Sequence, residues 1–305
     1  MDKEPLVSVI ILSYNSSAFI IETLDSIYRQ TYEKVELIIS DDCSTDSTRV
    51  LVEKWLDVHR ERFVNSIFVT TGVNRGVSAN INNGLQYARG CWLKILAADD
   101  VLVNEAISDY VSFCEKESCD ICASDFKCID EKSIEYTPKL DSTYYRYLVN
   151  LDSTLDNQRK CLYSGLLYPG PTAFQSKKSL EAIGGAKEEY ISEEWPLQYF
   201  ANKVGYRVFP LKKQLVLYRV HEKSFCRANK NPRYRLLLRD QFLFYKREVF
   251  KDAIRGAGFL KAWHNLLRYY SYYRSFDNRI FKLVMLLSPI EYLELFKRKS
   301  SNAVS

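Results

Sequence analysis

Twice within residues 1–100 the chain runs a short apolar segment straight into a pair of aspartates. ELIIS (Glu36–Ser40) meets Asp41 and Asp42, and the segment from Trp92 to Ala98 meets Asp99 and Asp100. Apolar runs of this length cross a buried sheet. LVSVIILSYN (Leu6–Asn15) reads as an earlier strand of the same kind. Between the first two lies a helical pattern, with Ile20, Leu24, Ile27 and Tyr28 on one face. Strand, helix and strand in that order make a βαβ unit with a parallel pair. The acid pairs near residues 41 and 99 then share one sheet edge, where open α/β sheets bind ligands. Adjacent carboxylates repel, so a site that keeps both ionised offers them a cation or donors. Hard oxygen ligands suit Mg²⁺ or Mn²⁺, which bridge carboxylates to substrate phosphates. An aspartate after a strand also serves as a helix cap, and the pair alone does not choose between these roles.

The rest of the chain continues the pattern. The DDCSTDST run (Asp41–Thr48) caps a helix carrying Leu51, Trp55 and Val58. SIFVT (Ser66–Thr70) is a third strand, and NRGVSAN (Asn74–Asn80) enters a helix with Ile81, Leu85 and Ala88 on one face. Gly90 stands where a glycine closes a helix. CDICASDF (Cys119–Phe126) is a further strand. The spacing of Cys114, Cys119, Cys122 and Cys128 resembles a zinc pattern, but no second CxxC follows, and buried free thiols are expected. Residues 130–165 are polar and aromatic without a period, and a mobile loop near the site is expected within them. YPGPTAF (Tyr168–Phe174) leads into a strand, and SLEAIGG (Ser179–Gly185) into a short helix with a glycine stop. ISEEWP opens a helix continued by Leu197, Phe200, Ala201 and Val204 up to Gly205, and LVLYRVHEKS (Leu215–Ser224) begins as an alternating strand.

A chain of 305 residues holds one large α/β domain or two smaller ones. MDKEP leads directly into a strand, so no signal peptide is expected, and the eight cysteines are expected as free thiols in a reducing cytoplasm. The longest apolar candidate for a membrane span, Ile280–Leu287, is broken by Lys282. Charge divides the chain. From Ala228 onward 16 Lys and Arg face 6 Asp and Glu, whereas residues 1–227 carry 27 against 32. The basic part is aromatic and near-helical in period, as in RYRLLLR from Arg233 and FLKAWHNLLRYYSYYR from Phe259. Such helices either pack on the body or lie on an anionic leaflet. No nucleic-acid recognition motif accompanies them.

Four pieces in order, VSVIILSYN from Val7, VELIISDDCSTDST from Val35, NRG from Asn74 and ADD from Ala98, resemble family 2 glycosyltransferases with the GT-A fold, over residues 6–225. The resemblance implies a Rossmann-like nucleotide-binding mixed sheet flanked by helices, here residues 1–227, with a C-terminal helical extension at 228–305. It implies an inverting transfer of sugar from a nucleotide-diphosphate donor, a UDP-sugar by expectation, to a glycan or lipid-linked acceptor. The inner-membrane surface is the expected setting, with the protein peripheral on its cytoplasmic face. Ser13, Tyr14, Asn15, Asn74 and Gly76 fall in the donor-binding pieces. Asp42 matches the acid that reads uracil, and Asp99 the residue near ribose and phosphates. Asp100 matches the ligand of Mg²⁺ or Mn²⁺, and His221 of the Tyr-Arg-x-His segment approaches the same metal and diphosphate. Arg219 is either an edge cation or faces the phosphates.

Many members carry another Asp where this chain has Ala97, and a glycine or asparagine where it has Cys43. The Glu-Asp-Trp run that holds the family's general base is here Glu193-Glu194-Trp195, and alignment favours Glu194 over Glu193. An inverting transfer needs such a carboxylate to take the acceptor proton. The Gln-x-x-Arg-Trp motif of processive members is missing, so one sugar per encounter is expected. A nucleotidyltransferase would place a glycine-rich basic loop after strand one, and the Asn15-Ser16-Ser17 turn is not one. A non-catalytic sugar- or membrane-binding module is the remaining alternative.

Overall fold

The computed structural model describes residues 4–137, 154–221 and 232–274. Much of the expected acceptor loop and the whole Ile280–Leu287 stretch lie outside the described residues. β1 (Val7–Ser13) lies between β2 (Val35–Asp41) and β4 (Trp92–Ala97), with β3 (Asn65–Thr70) outside β2, and all four run parallel. α1 (Ile20–Tyr28), α2 (Thr48–His59) and α3 (Val77–Leu85) make the crossovers. Strand order therefore reverses between β1 and β4, the switch point at which such sheets bind ligands.

Beyond β4 the sheet becomes mixed. β8 (Ala173–Ser176) is antiparallel to β4 and to β6 (Ile121–Ile129), which runs parallel to β9 (Val208–Arg219). β5 (Val101–Leu102) pairs with β9, and β7 (Glu135–Tyr136) with β6. The expected fold class is met: a mixed α/β sheet, covered by helices and followed by C-terminal helices.

Side chains alternate between two cores. Val7, Val9 and Ile11 face one layer with α1, α2 and α4 (Ala106–Glu117), while Ile10 and Ile38 face the other. Burial on both faces explains why these strands read as continuous apolar runs. The second layer contains α5 (Leu155–Leu162), α6 (Lys177–Glu181) and α7 (Glu194–Lys203). It also contains α8 (Pro232–Phe244), a π-helical turn at Tyr245–Val249, α9 (Phe250–Ala257) and α10 (Phe259–Arg274). Phe244, Tyr245, Val249, Ala262 and Tyr269 from these last helices pack with Trp195 and Tyr199 of α7. Residues 232–274 of the basic tail thus bury one face in the body's own core.

Two local expectations are corrected. α3 ends at Leu85, well before Gly90. Gly90 is instead required by close approach: a Cβ there would lie 2.6 Å from the Ser8 backbone nitrogen. Its N–H donates to Glu36 Oε1, which also accepts from Arg89 N–H and the Ser8 hydroxyl. On α2 the buried face is Val52, Trp55 and Leu56, and Val58 is exposed. β9 begins at Val208, well before the expected Leu215, because its pairing with β6 carries the ladder back along the chain, and β6 itself runs on to Ile129.

Candidate active site

The carboxyl ends of β1, β2 and β4 open into a cleft of about 1340 Å³. Ser13, Tyr14, Asp42, Asn74, Gly76, Asp99 and Asp100 border it, and so does Glu194. Asn15 and His221 do not border it. Asn15 adopts φ +49°, and its Oδ1 accepts the N–H groups of Thr45 and Asp46, so it ties two loops of the site together.

The two aspartates after β2 divide their tasks. Asp41 accepts from the Ser13 hydroxyl and from Ser44 N–H, which folds the loop that follows. Asp42 faces the cleft and accepts from the N–H groups of Arg75 (2.8 Å) and Gly76 (2.7 Å) and from the Thr71 hydroxyl. These donors fix the carboxylate plane and leave further lone pairs for a ligand. Gly76 holds φ +88°, a conformation that favours glycine. Cys43 holds φ +62°. That left-handed backbone is the physical reason for glycine or asparagine at this place, and its thiol reaches only the Gly72 carbonyl.

After β4 the acids are more buried. Asp100 Oδ1 accepts Arg219 N–H at 2.9 Å. Its Oδ2 is buried without a hydrogen-bond partner among the described residues. Burial, and then the neighbouring Asp99 charge, push the Asp100 carboxyl well above the ordinary range. An orphaned carboxylate oxygen beside a second carboxylate is a fit for a divalent cation. Among the described residues no group of three or more His, Cys, Asp and Glu could hold a metal alone. Mg²⁺ is commonly bound by one or two carboxylates together with substrate phosphates. His221 Nε2 lies 3.0 Å from Asp99 Oδ2, and its ring packs beside Phe19.

Arg219 borders the cleft, yet its guanidinium is engaged by the protein. Nε donates to the Asp99 carbonyl, one terminal nitrogen to the Asp130 carbonyl and Ser133 Oγ, and the other to Glu22 at 2.6 Å. It is 1% exposed and lies over the Phe19 ring. Four of its N–H donors therefore hold the Asp99–Asp100 turn against α1 and the β6–β7 hairpin.

Across the cleft stand a 3-10 turn, Gly170–Thr172, and the first turn of α7. Glu194 Oε1 accepts Gly170 N–H at 2.9 Å. Glu193, partly buried beside it, is pushed up to about 8 by burial and then by the Glu194 charge. Burial raises Glu194 as well, while the Gly170 N–H opposes that rise. Burial thus favours the protonated form of both carboxyls, and the Gly170 N–H favours the charged form of Glu194 alone. Gln198 accepts Leu167 N–H and donates to the Tyr168 carbonyl, and Trp195 Nε1 donates to the Leu162 carbonyl. The tail helices complete this wall with Leu236, Gln241, Lys261, Arg268 and Tyr269. No local signal in the sequence marks that contribution, because only tertiary packing brings α8 and α10 to the cleft.

Comparison with known proteins bears on this arrangement. The model of glycosyl transferase family 2 matches residues 8–184. UDP-Glc:alpha-D-GlcNAc-diphosphoundecaprenol beta-1,3-glucosyltransferase WfaP of Escherichia coli is 34% identical over 37% of this chain and 42% of its own length. WfgD of Escherichia coli, named for the same activity, is 28% identical over 48% of this chain and 56% of its own length. The chain thus aligns with less than two thirds of these curated relatives. Among solved structures, residues 1–349 of Staphylococcus aureus TarS with UDP-GlcNAc superpose with a TM-score of 0.60, covering 92% of this chain and 90% of that one at 18% identity. The mannosyltransferase PcManGT of Pyrobaculum calidifontis, with GDP-Man and Mn²⁺, superposes at 0.64, covering 100% and 82% at 18% identity. These structures share the fold. Sheet, switch point and cleft define a GT-A protein. The chain belongs to glycosyl transferase family 2.

Proposed function

We propose that the protein moves one sugar from a UDP-sugar to a hydroxyl of a lipid-linked glycan, with inversion, in assembly of a bacterial surface polysaccharide. The observation that carries the reading is a single cleft with Asp42, Asp99 and Asp100 on one side and Glu194 on the other. WfaP and WfgD are named for UDP-glucose and a diphosphoundecaprenol-linked acceptor, and we extend that chemistry to this chain. Ser13, Tyr14, Asn74 and Gly76 line the nucleotide end, and Asp42 reads the base. Asp100 and His221 are assigned to Mg²⁺ or Mn²⁺, with Asp99 between them. A bound divalent cation would neutralise charge on the departing diphosphate. Arg219 we assign to holding the Asp99–Asp100 turn rather than to the phosphates.

The acceptor oxygen attacks the anomeric carbon from the Glu194 side as the bond to the diphosphate oxygen breaks. Glu194 takes the hydroxyl proton, and the nucleoside diphosphate leaves with the bonding pair. Burial makes this carboxylate a stronger base near neutral pH. Lys160, Lys261 and Arg268 border the acceptor end and suit an anionic carrier.

We read residues 232–274 as a wall of the enzyme, since they share its second core. Among the described residues no helix is long and apolar enough to cross a membrane. Phe259 and Leu260 are exposed at the start of α10, beside Lys261, and suit a peripheral contact with an anionic leaflet. The test is a thermal-shift panel of nucleotide sugars with and without Mn²⁺, followed by labelled transfer to a lipid-linked acceptor. UDP-sugars should stabilise the protein more with metal present. A panel in which no nucleoside diphosphate shifts the midpoint overturns the reading.

A further inference from the structure

Lys94 sits in the middle of β4, an otherwise apolar strand, and is 0% exposed. No carboxylate forms an ion pair with it among the described residues. Its Nζ instead donates to the carbonyls of Pro171 (2.5 Å) and Ala173 (3.0 Å), and approaches Tyr110 Oη at 3.4 Å. Tyr110 in turn donates to the Thr172 carbonyl between them and lies 2.6 Å from Ser124 Oγ. The ammonium also rests over the Tyr110 ring, 4.8 Å from its centroid. Three consecutive carbonyls, of residues 171, 172 and 173, are thus gripped from the β4 side.

The opposite side of the same turn holds the carboxylate assigned as base. Gly170 N–H donates to Glu194, and a Cβ on Gly170 would lie 2.7 Å from Glu194 Oε1. A shift of the turn therefore moves Glu194. Burying an ammonium is costly, and burial drives Lys94 down to about 7. An apolar side chain of the same length would fill the strand without that cost. What it could not do is hold carbonyls at fixed distance.

We propose that Lys94 is a positioning residue for acceptor activation, acting through the Gly170–Thr172 turn on Glu194. This rests on the reading of Glu194 as general base. Lys94 also lies within electrostatic reach of Asp100, so its effect must be separated from the donor side.

The experiment is a double-mutant cycle of Lys94→Met with Glu194→Gln. It follows UDP release to water, using whichever of UDP-glucose, UDP-galactose and UDP-N-acetylglucosamine the wild type hydrolyses fastest. UDP affinity is measured in parallel by calorimetry. Small misplacement of a reacting group costs up to about 10²-fold, so Lys94→Met should lose about 10–10² in kcat. UDP affinity and its Mn²⁺ dependence should stay as in the wild type. In the Glu194→Gln background the further loss should shrink to less than about 3-fold, because groups acting as a unit are not additive. Equal losses in both backgrounds, or an altered Mn²⁺ dependence of UDP binding, overturn the proposal. If Glu194→Gln alone keeps full turnover, the base reading fails first.

A readout without catalysis completes the test. Amide exchange at Leu167–Thr172 should rise by roughly tenfold or more in Lys94→Met while β1 amides stay protected. Unchanged exchange there overturns the proposal even if no donor is hydrolysed. Should Lys94→Met fail to fold, Tyr110→Phe removes the grip on Thr172 while keeping the ring, and the same two readouts apply.

Discussion

The sheet edge assigned to the donor and the wall assigned to the acceptor are built in opposite ways. Around β2 each aspartate is held by its own loop and by loops that its sheet neighbours supply. Asp41 bonds Ser13 and Ser44, and Asp42 bonds residues 71, 75 and 76. Parallel strands bring these loops together by topology alone. On the acceptor wall the partners come from separate helices and turns. Glu194 meets Gly170, Gln198 meets Leu167, Tyr199 meets Asp252, and Asn265 meets the Tyr163 carbonyl. Disturbing one helix there displaces several groups at once, whereas the donor edge is corrected locally by backbone donors.

The largest effect expected of this contrast is at Glu194. Glu194→Gln should lose about 10²–10⁴ in kcat while keeping UDP affinity. Glu194→Asp should also lose activity, since the shorter carboxylate leaves Gly170. Near wild-type turnover in Glu194→Gln, with Glu193→Gln inactive, moves the base by one residue. Asp100→Asn tests the other side. Electrostatic stabilisation of a leaving group is worth several kcal/mol, so transfer should fall by about 10²–10³ and UDP affinity should lose its Mn²⁺ dependence. Equal UDP affinity with and without Mn²⁺ in the wild type would sink the metal assignment.

Glu193 gives a smaller effect with a definite sign. Its carboxyl titrates near 8 in the fold and near the ordinary value of about 4.3 in the unfolded chain. Below both values each state holds the proton and nothing is lost. As pH climbs between them the unfolded chain ionises first, so the fold loses stability. Glu193→Gln should therefore gain about 1–2 kcal/mol relative to wild type on going from pH 5 to 8.5 by urea denaturation, allowing for solvent screening. A difference independent of pH refutes the assignment. Smallest is the membrane contact. Flotation with anionic vesicles at low salt should weaken a few-fold in Leu260→Ser, because the serine offers less apolar area to the headgroup–acyl boundary. Wild-type protein that stays at the bottom of the gradient rejects it.

The donor half was legible because period and strand ends carry it. Ile20, Leu24 and Ile27 are buried, while Tyr28 of the same expected face is exposed and packs its ring on Trp55 and His59, and the two Asp pairs fall on one edge. Gly90 misled because a glycine required by contact with Ser8 looks like one required by a helix end. Lys94 was readable as a charge inside an apolar strand, but its acceptors are carbonyls nearly eighty residues later, at Pro171 and Ala173. The tail helices carried a period and a charge, which fit a surface as well as a core. Only their contacts with Trp195 and Tyr199 decide that one face is interior.

The shared wall made by α8 and α10 gives the molecule two separately variable halves. Substitutions at Leu236, Gln241, Lys261 or Arg268 reshape the space opposite the sheet and leave β1, β2 and β4 untouched. On the proposed assignment, substitutions in these helices would alter acceptor transfer while UDP affinity stays as in the wild type. The same layout makes the tail a poor place to truncate: removing it strips Phe244, Tyr245 and Tyr269 from around Trp195, next to Glu194.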